Sequence, residues 1–181
     1  MGIERARVVE VRSGGAGYLL DDRLVLSASA GAGAVRPAGT GTWLPTSAVW
    51  RSAAGVSLLE LDDPSMLMLP PDRPSWGRLG GRRPVAVTAM GFPPAPSEWP
   101  RDPERFVGHI APGDGPTLAV TPAPGLTGAA LFAGAELVGV LLAGGRAVPV
   151  TALADDPGFV DVVGRLALVA VSTPAGALPM F

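Results

Sequence analysis

Few residues of this chain are equipped for chemistry. Its 181 residues include one histidine, His109, and no cysteine, lysine, asparagine or glutamine. One imidazole and no thiol do not supply the ligand set of a zinc site, so no metal or other cofactor is expected. Thiol catalysis and disulfides are excluded with the missing cysteine. His109 stands in Val107-Gly108-His109-Ile110, a strand-like run. A general base must lie within hydrogen-bond reach of its target, and nothing in the spacing brings His109 to one. It reads as a structural or surface residue. Three carboxylate pairs, Asp21-Asp22, Asp62-Asp63 and Asp155-Asp156, have the composition for glycoside hydrolysis or calcium binding. Each stands beside a turn or a proline, the setting of solvated turn residues. Ser13-Gly14-Gly15-Ala16-Gly17 is glycine-rich, but no Lys-Ser/Thr pair and no helix follow it, so it is not a phosphate-binding loop. Arg78, Arg82 and Arg83 form a short basic run, with Arg82 and Arg83 as candidate docking residues. Of the four tryptophans, Trp76 and Trp99 fall in proline-rich stretches and are candidate interface anchors. Trp43 and Trp50 fall on strands and are expected in the core.

The elements that must position these groups are short. Hydrophobic residues make up 48% of the chain and charged residues 17%, which places it among globular domains. The net charge of −2 gives no electrostatic case for nucleic acid or an anionic membrane as partner. All 14 basic residues are arginine, as a GC-rich coding sequence would produce. Charges break up the N-terminal apolar residues, so no signal peptide is read there, and no apolar run reaches the about 20 residues of a membrane span. The cytoplasm is the expected compartment.

The 25 glycines and 20 prolines break helix interiors and leave room mainly for short strands. Strands are expected over Arg5–Arg12, Ala16–Leu20, Arg23–Ser27, two across Gly41–Trp50 split at Pro45, and Val56–Leu61. A second set follows over Pro84–Met90, Phe106–Ile110, Thr117–Thr121, Ala129–Phe132, Glu136–Leu142 and Ala147–Val150. Between the sets, Pro70–Arg83 reads as a linker. Thr151–Val163 holds one short helix starting near Asp155, and Leu166–Ser172 is a last strand or tail. An all-β double barrel results.

Three segments, in order, resemble the signature blocks of the chymotrypsin/trypsin-like serine protease family. Gly15-Ala16-Gly17-Tyr18-Leu19-Leu20, then Leu24-Val25-Leu26-Ser27-Ala28-Ser29-Ala30, is similar to GxGFLV…VLTAAH. Gly55-Val56-Ser57-Leu58-Leu59-Glu60-Leu61 is similar to DVALLRL. Pro124-Gly125-Leu126-Thr127-Gly128-Ala129-Ala130-Leu131-Phe132, then Glu136-Leu137-Val138-Gly139-Val140, is similar to PGDSGGPLF…LVGV. Val87-Thr88-Ala89-Met90-Gly91-Phe92-Pro93 resembles the strand that opens the family's second barrel. The resemblance spans roughly residues 5–165.

It implies two six-stranded antiparallel barrels, residues 1–78 and 79–165, with a strand or tail over 166–181 that could lead to further domains. It also implies that the catalytic positions are vacated. Ala30 matches the general base, Gly55 the orienting acid and Thr127 the nucleophile. In the family's triad a histidine takes the nucleophile's proton and a carboxylate holds the imidazole in the right tautomer. Alanine and glycine can do neither, and a threonine hydroxyl without a base is a poor nucleophile. Gly125 and Gly128 keep the turn of the oxyanion loop around Thr127. The expected function is therefore a catalytically inactive module that binds a protein or peptide, similar to N-terminal domains of bacterial signalling or conflict-system proteins. The alternatives are a hydrolase that uses Thr127 with an unrecognised base, and a purely structural assembly domain.

Overall fold

The computed structural model describes residues 3–28, 33–64, 72–80, 83–92, 101–111, 117–118 and 125–171. Its first half is the expected six-stranded barrel. Strands β1 (Val8–Val11), β2 (Ala16–Leu19), β3 (Leu24–Ser27), β4 (Ala34–Pro37), β5 (Leu44–Arg51) and β6 (Ser57–Leu61) run in the order β1-β2-β3-β6-β5-β4. Antiparallel pairing of β4 with β1, Val9 opposite Pro37 and Val11 opposite Val35, closes the barrel. Closure leaves no free edge. The sequence reading missed β4 and divided Gly41–Trp50 at Pro45; instead β5 runs unbroken through Pro45.

The apolar runs of β1 to β3 have a cause. Val9, Val11, Leu19, Val25, Val35, Leu44, Leu59 and Leu61 fill the barrel. Their strand neighbours Val8, Ala16, Tyr18, Leu20, Leu24, Leu26 and Leu58 face outward, yet they are buried in a larger core shared with the second half. Strands apolar on both faces lose the clean alternation of a half-exposed strand.

The second half contains β7 (Ser75–Leu79), β8 (Val85–Gly91), β9 (Glu104–Ala111), β10 (Thr117–Leu118), β11 (Ala130–Ala133), β12 (Glu136–Leu141), β13 (Ala147–Pro149) and β14 (Leu168–Val171). They form one eight-stranded sheet in the order β10-β9-β8-β11-β12-β7-β14, with β13 also paired to β12. Two strands more than the expected six arise from the flanks. The segment read as a linker supplies β7, which straddles the expected division near residue 78, and Leu166–Ser172, expected as a last strand or tail, supplies β14. Both pairings of β7 are parallel, to β12 and to β14, where an antiparallel barrel was expected.

Two short helices replace the single one expected. Helix α1 (Val150–Ala154) ends at Asp155, and α2 (Pro157–Val163) begins after Asp156. Proline disfavours helical conformation in the residue before it and is well suited to a first helical position, so Pro157 forces the restart. The Asp156 carboxylate caps α2, accepting the Gly158 and Phe159 N–H groups at 2.9 and 3.1 Å. It also accepts the Trp50 Nε1–H at 3.2 Å. No helix among the described residues is long and apolar enough to cross a membrane.

Trp76 is not a loop anchor but a buried residue of β7. It packs edge-on against Phe159 of α2 at 6.2 Å, and Phe159 meets Trp50 of β5 at 5.2 Å. Phe159 thus lies between an aromatic of each half. Trp43 lies just before β5, half-buried rather than in the core, over the Arg36 guanidinium at 4.5 Å. Beneath it Arg36, nearly inaccessible, pairs with Glu10 at 2.7 Å, and Glu10 also holds Arg101 at 3.0 Å. Asp21 is not solvated either. It is buried, accepts the Arg23 and Leu24 N–H groups at 2.9 Å each, and pairs with Arg73.

Removing the Phe159 ring should therefore cost more than an ordinary helix substitution. Phe159→Ala is expected to lower unfolding free energy by about 3–5 kcal/mol, read as a shifted urea midpoint with altered native tryptophan fluorescence.

Candidate functional site

The first and third signature blocks meet in space. The loop before β11 runs from Gly125 to Ala129 and is fixed by backbone bonds on three sides. The Gly125 carbonyl accepts the Phe92 N–H, at the end of β8, at 3.3 Å. The Gly128 N–H donates to the Leu141 carbonyl of β12 at 2.7 Å, and the Leu141 N–H returns to Ala129 at 2.9 Å. Across the seam between the halves, the Ala16 N–H of β2 donates to the Thr127 carbonyl at 2.8 Å.

Glycine is required on both sides of that contact. Gly128 has φ +89°, and a Cβ there would lie 2.2 Å from the Ala16 carbonyl oxygen and 2.6 Å from Ser27 Oγ. Gly15 has φ +94°, and a Cβ there would lie 2.4 Å from the Thr127 carbonyl oxygen. Only glycine takes such backbone angles freely and leaves room for another backbone at that distance. The glycine-rich turn that cannot cradle a phosphate therefore serves as the seat of the Thr127 loop. Gly125 also has positive φ, at +92°.

Thr127 is half-buried, and Leu126 beside it is buried. Among the described residues, no carboxylate or imidazole is hydrogen-bonded to the Thr127 hydroxyl. Gly55 sits in the β5–β6 turn with φ +102°, its N–H donating to the Ser52 carbonyl at 3.2 Å. A Cβ at Gly55 would meet nothing within 4 Å, so the position matched to the family's acid opens onto free space. Ala30 lies outside the described residues, as do Arg82 and Trp99. Arg83 is exposed. His109 stands on β9 opposite Ala86, exposed between buried Gly108 and Ile110, and so faces out of the sheet. Among the described residues, no cluster of three or more His, Cys, Asp or Glu could hold a metal ion.

Sequence reasoning passed over two serines at this seam. Ser27 ends β3 and Ser57 begins β6, directly opposite each other. Both are fully buried. Ser27 Oγ donates to the Ala16 carbonyl at 2.8 Å, whereas Ser57 Oγ has no hydrogen-bond partner among the described residues. A serine in each of two otherwise apolar runs was the available signal.

Farther along β2 is a cavity of about 280 Å³, lined by residues of both halves. Tyr18, the only tyrosine in the chain, lies against it, its ring tilted on that of Phe132 with centroids 5.1 Å apart. The Tyr18 hydroxyl accepts the Glu4 N–H at 3.2 Å. Burial pushes its pKa above the ordinary value, and the Glu4 N–H opposes that only in part.

No protein-family model matches the sequence, and no curated protein does. Solved structures match the fold. A crystal structure of Deg5 aligns with TM-score 0.65 at 13% identity, covering 89% of this chain and 91% of its own. A Glu endopeptidase determined in complex with MPD aligns with TM-score 0.64 at 12% identity, covering 90% and 92%. A serine protease of human pathogenic astrovirus aligns with TM-score 0.57 at 16% identity, covering 86% and 93%. The chain has the trypsin-like fold.

Two expectations follow from this geometry. Gly128→Ala should destabilise by about 3 kcal/mol or more, because backbone atoms block the methyl and φ is unfavourable. Gly55→Ala, strained in φ alone, should cost about 1–2 kcal/mol. Urea unfolding of the two variants checks the order. Second, the rise in absorbance near 295 nm on phenol ionisation reports Tyr18 alone, the only tyrosine in the chain. In the native chain tyrosinate should form at higher pH than in urea, where the ordinary value of about 10 applies. The unfolded state loses the proton first, so stability falls as pH rises above about 10. Tyr18→Phe should remove that part of the loss.

Proposed function

We propose that this is a trypsin-like domain without a proteolytic centre, a cytoplasmic module that binds a protein or peptide partner. The observation that carries the reading is the position of the only imidazole. His109 faces outward from β9, while Thr127 is held at the seam by its carbonyl. A serine-protease mechanism needs an imidazole on the nucleophile and a carboxylate behind it. The residues matched to those roles, Ala30 and Gly55, carry no proton acceptor in their side chains.

Binding has physical support of its own. Among the described residues β10 and β14 end the second sheet. β14, Leu168–Val171, is uncharged and apolar, and lacks the charges and prolines that commonly protect an edge. An extended peptide could add there by backbone hydrogen bonds. Attachment to the rest of a larger bacterial signalling or conflict-system protein belongs to the same proposal.

A fluorophosphonate probe tests the catalytic half. No covalent labelling is expected by intact-mass spectrometry at neutral pH. Labelling that maps to Thr127 and disappears in Thr127→Ala would establish a working nucleophile and overturn the reading.

A further inference from the structure

The cavity beside Tyr18 is separate from the Thr127 loop, since none of Gly125, Leu126, Thr127 or Gly128 lines it. Its walls carry Glu4, Arg7, Asp72, Arg73 and the exposed Ser75, and Tyr18, Phe132, Pro74 and Ala135 supply apolar surface. At about 280 Å³ it falls just below the range of drug-sized sites and suits a molecule the size of one amino acid.

Most of its polar groups already have partners. Arg7 pairs with Glu4 at 3.0 Å and donates to the Leu19 and Leu20 carbonyls. Arg73 pairs with Asp21 at 3.1 Å and donates to the Val163 carbonyl. Two groups remain. The Tyr18 hydroxyl accepts a hydrogen bond but donates none among the described residues, although Tyr18 is only 3% exposed. A buried donor left unmade is costly, so an acceptor oxygen has a ready place there. Because burial raises its pKa, the phenol keeps this proton throughout the neutral range. The second group is Asp72, at the exposed rim, with no ion-pair partner among the described residues. The charged lining residues sum to zero, Glu4 and Asp72 against Arg7 and Arg73, but Arg7 is paired with Glu4 and Arg73 with Asp21 outside the lining, so Asp72 is the lining carboxylate left without an ion-pair partner among the described residues. That disfavours a bare anion and favours a cation that brings its own acceptor.

We propose that this cavity binds a small zwitterion-like group, an α-ammonium beside a carboxylate or carbonyl oxygen. The ammonium faces Asp72, the oxygen accepts from Tyr18, and the side chain rests against Phe132 and Pro74. Either a free amino acid or the first residue of a peptide offers this chemistry. The site lies between the halves and does not depend on whether the Thr127 loop is catalytic.

Calorimetric titration of the 181-residue chain with leucine, leucinamide and N-acetylleucine tests it. Leucine or leucinamide should bind, and N-acetylleucine, which lacks the ammonium, should not. Binding of leucine alone identifies a free amino acid as the ligand, whereas equal binding of leucinamide identifies a peptide terminus. Tyr18→Phe keeps the ring and removes the donor, and should weaken binding about tenfold, as should Asp72→Asn at the exposed rim. Ala135→Phe should fill the cavity and abolish binding. Melting curves of the variants, run alongside, confirm that each is folded at the titration temperature. Three results overturn the proposal: no leucine or leucinamide binding up to about 10 mM, equal binding of N-acetylleucine, or unchanged affinity in the folded Tyr18→Phe and Asp72→Asn variants.

Discussion

The bare backbone contact between the Thr127 loop and β2 sets the geometry of the whole seam. The Ala16 N–H reaches the Thr127 carbonyl, and Gly15 and Gly128 bring the two chains close enough for it. A Cβ on either glycine would enter the other strand's carbonyl oxygen. The loop is then tied back to β8 through Gly125 and to β12 through Gly128. Its shape is consequently set by bonds that use no side chain. The loop therefore keeps its place in the trypsin-like frame whatever side chains it carries.

The rest of the packing reinforces the same seam. One apolar core takes in the outer faces of β1 to β3 together with most strands of the second sheet. The halves therefore share a core, and the closed barrel keeps a separate smaller one for itself. Phe159 adds an aromatic bridge from Trp50 to Trp76. Asp21, bonded to Arg73 just before β7, fixes the crossing from one half to the other. Two buried hydroxyls stand apart from this, Thr46 Oγ1 and Ser57 Oγ, which have no hydrogen-bond partner among the described residues, Ser57 lying where the β3 and β6 ends meet.

Much of this was legible in the sequence. Glycine and proline punctuation gave the all-β class, and most strands of both sets fall where short valine- and leucine-rich runs predict them. The glycines of the Thr127 loop were legible as turn residues. What local pattern cannot reveal is pairing at a distance. β7 carries Gly77 and an arginine beside a proline-rich stretch, so it reads as linker, yet parallel partners on both sides make it a sheet strand. Trp76 looked like a loop anchor for the same reason. Asp21 looked like a solvated turn residue because its partner, Arg73, lies 52 positions away. Gly15 had a recognisable turn signal, but its actual constraint comes from Thr127, more than 100 residues later.

The account stands or falls on whether the domain holds peptides without cutting them. A diverse peptide library passed over immobilised protein, with bound and unbound fractions sequenced by mass spectrometry, measures both at once. The account predicts a bound set enriched in intact sequences with shared side-chain preferences, unchanged after long incubation. Fragments with a common new terminus that accumulate with wild type but not with Thr127→Ala would contradict it.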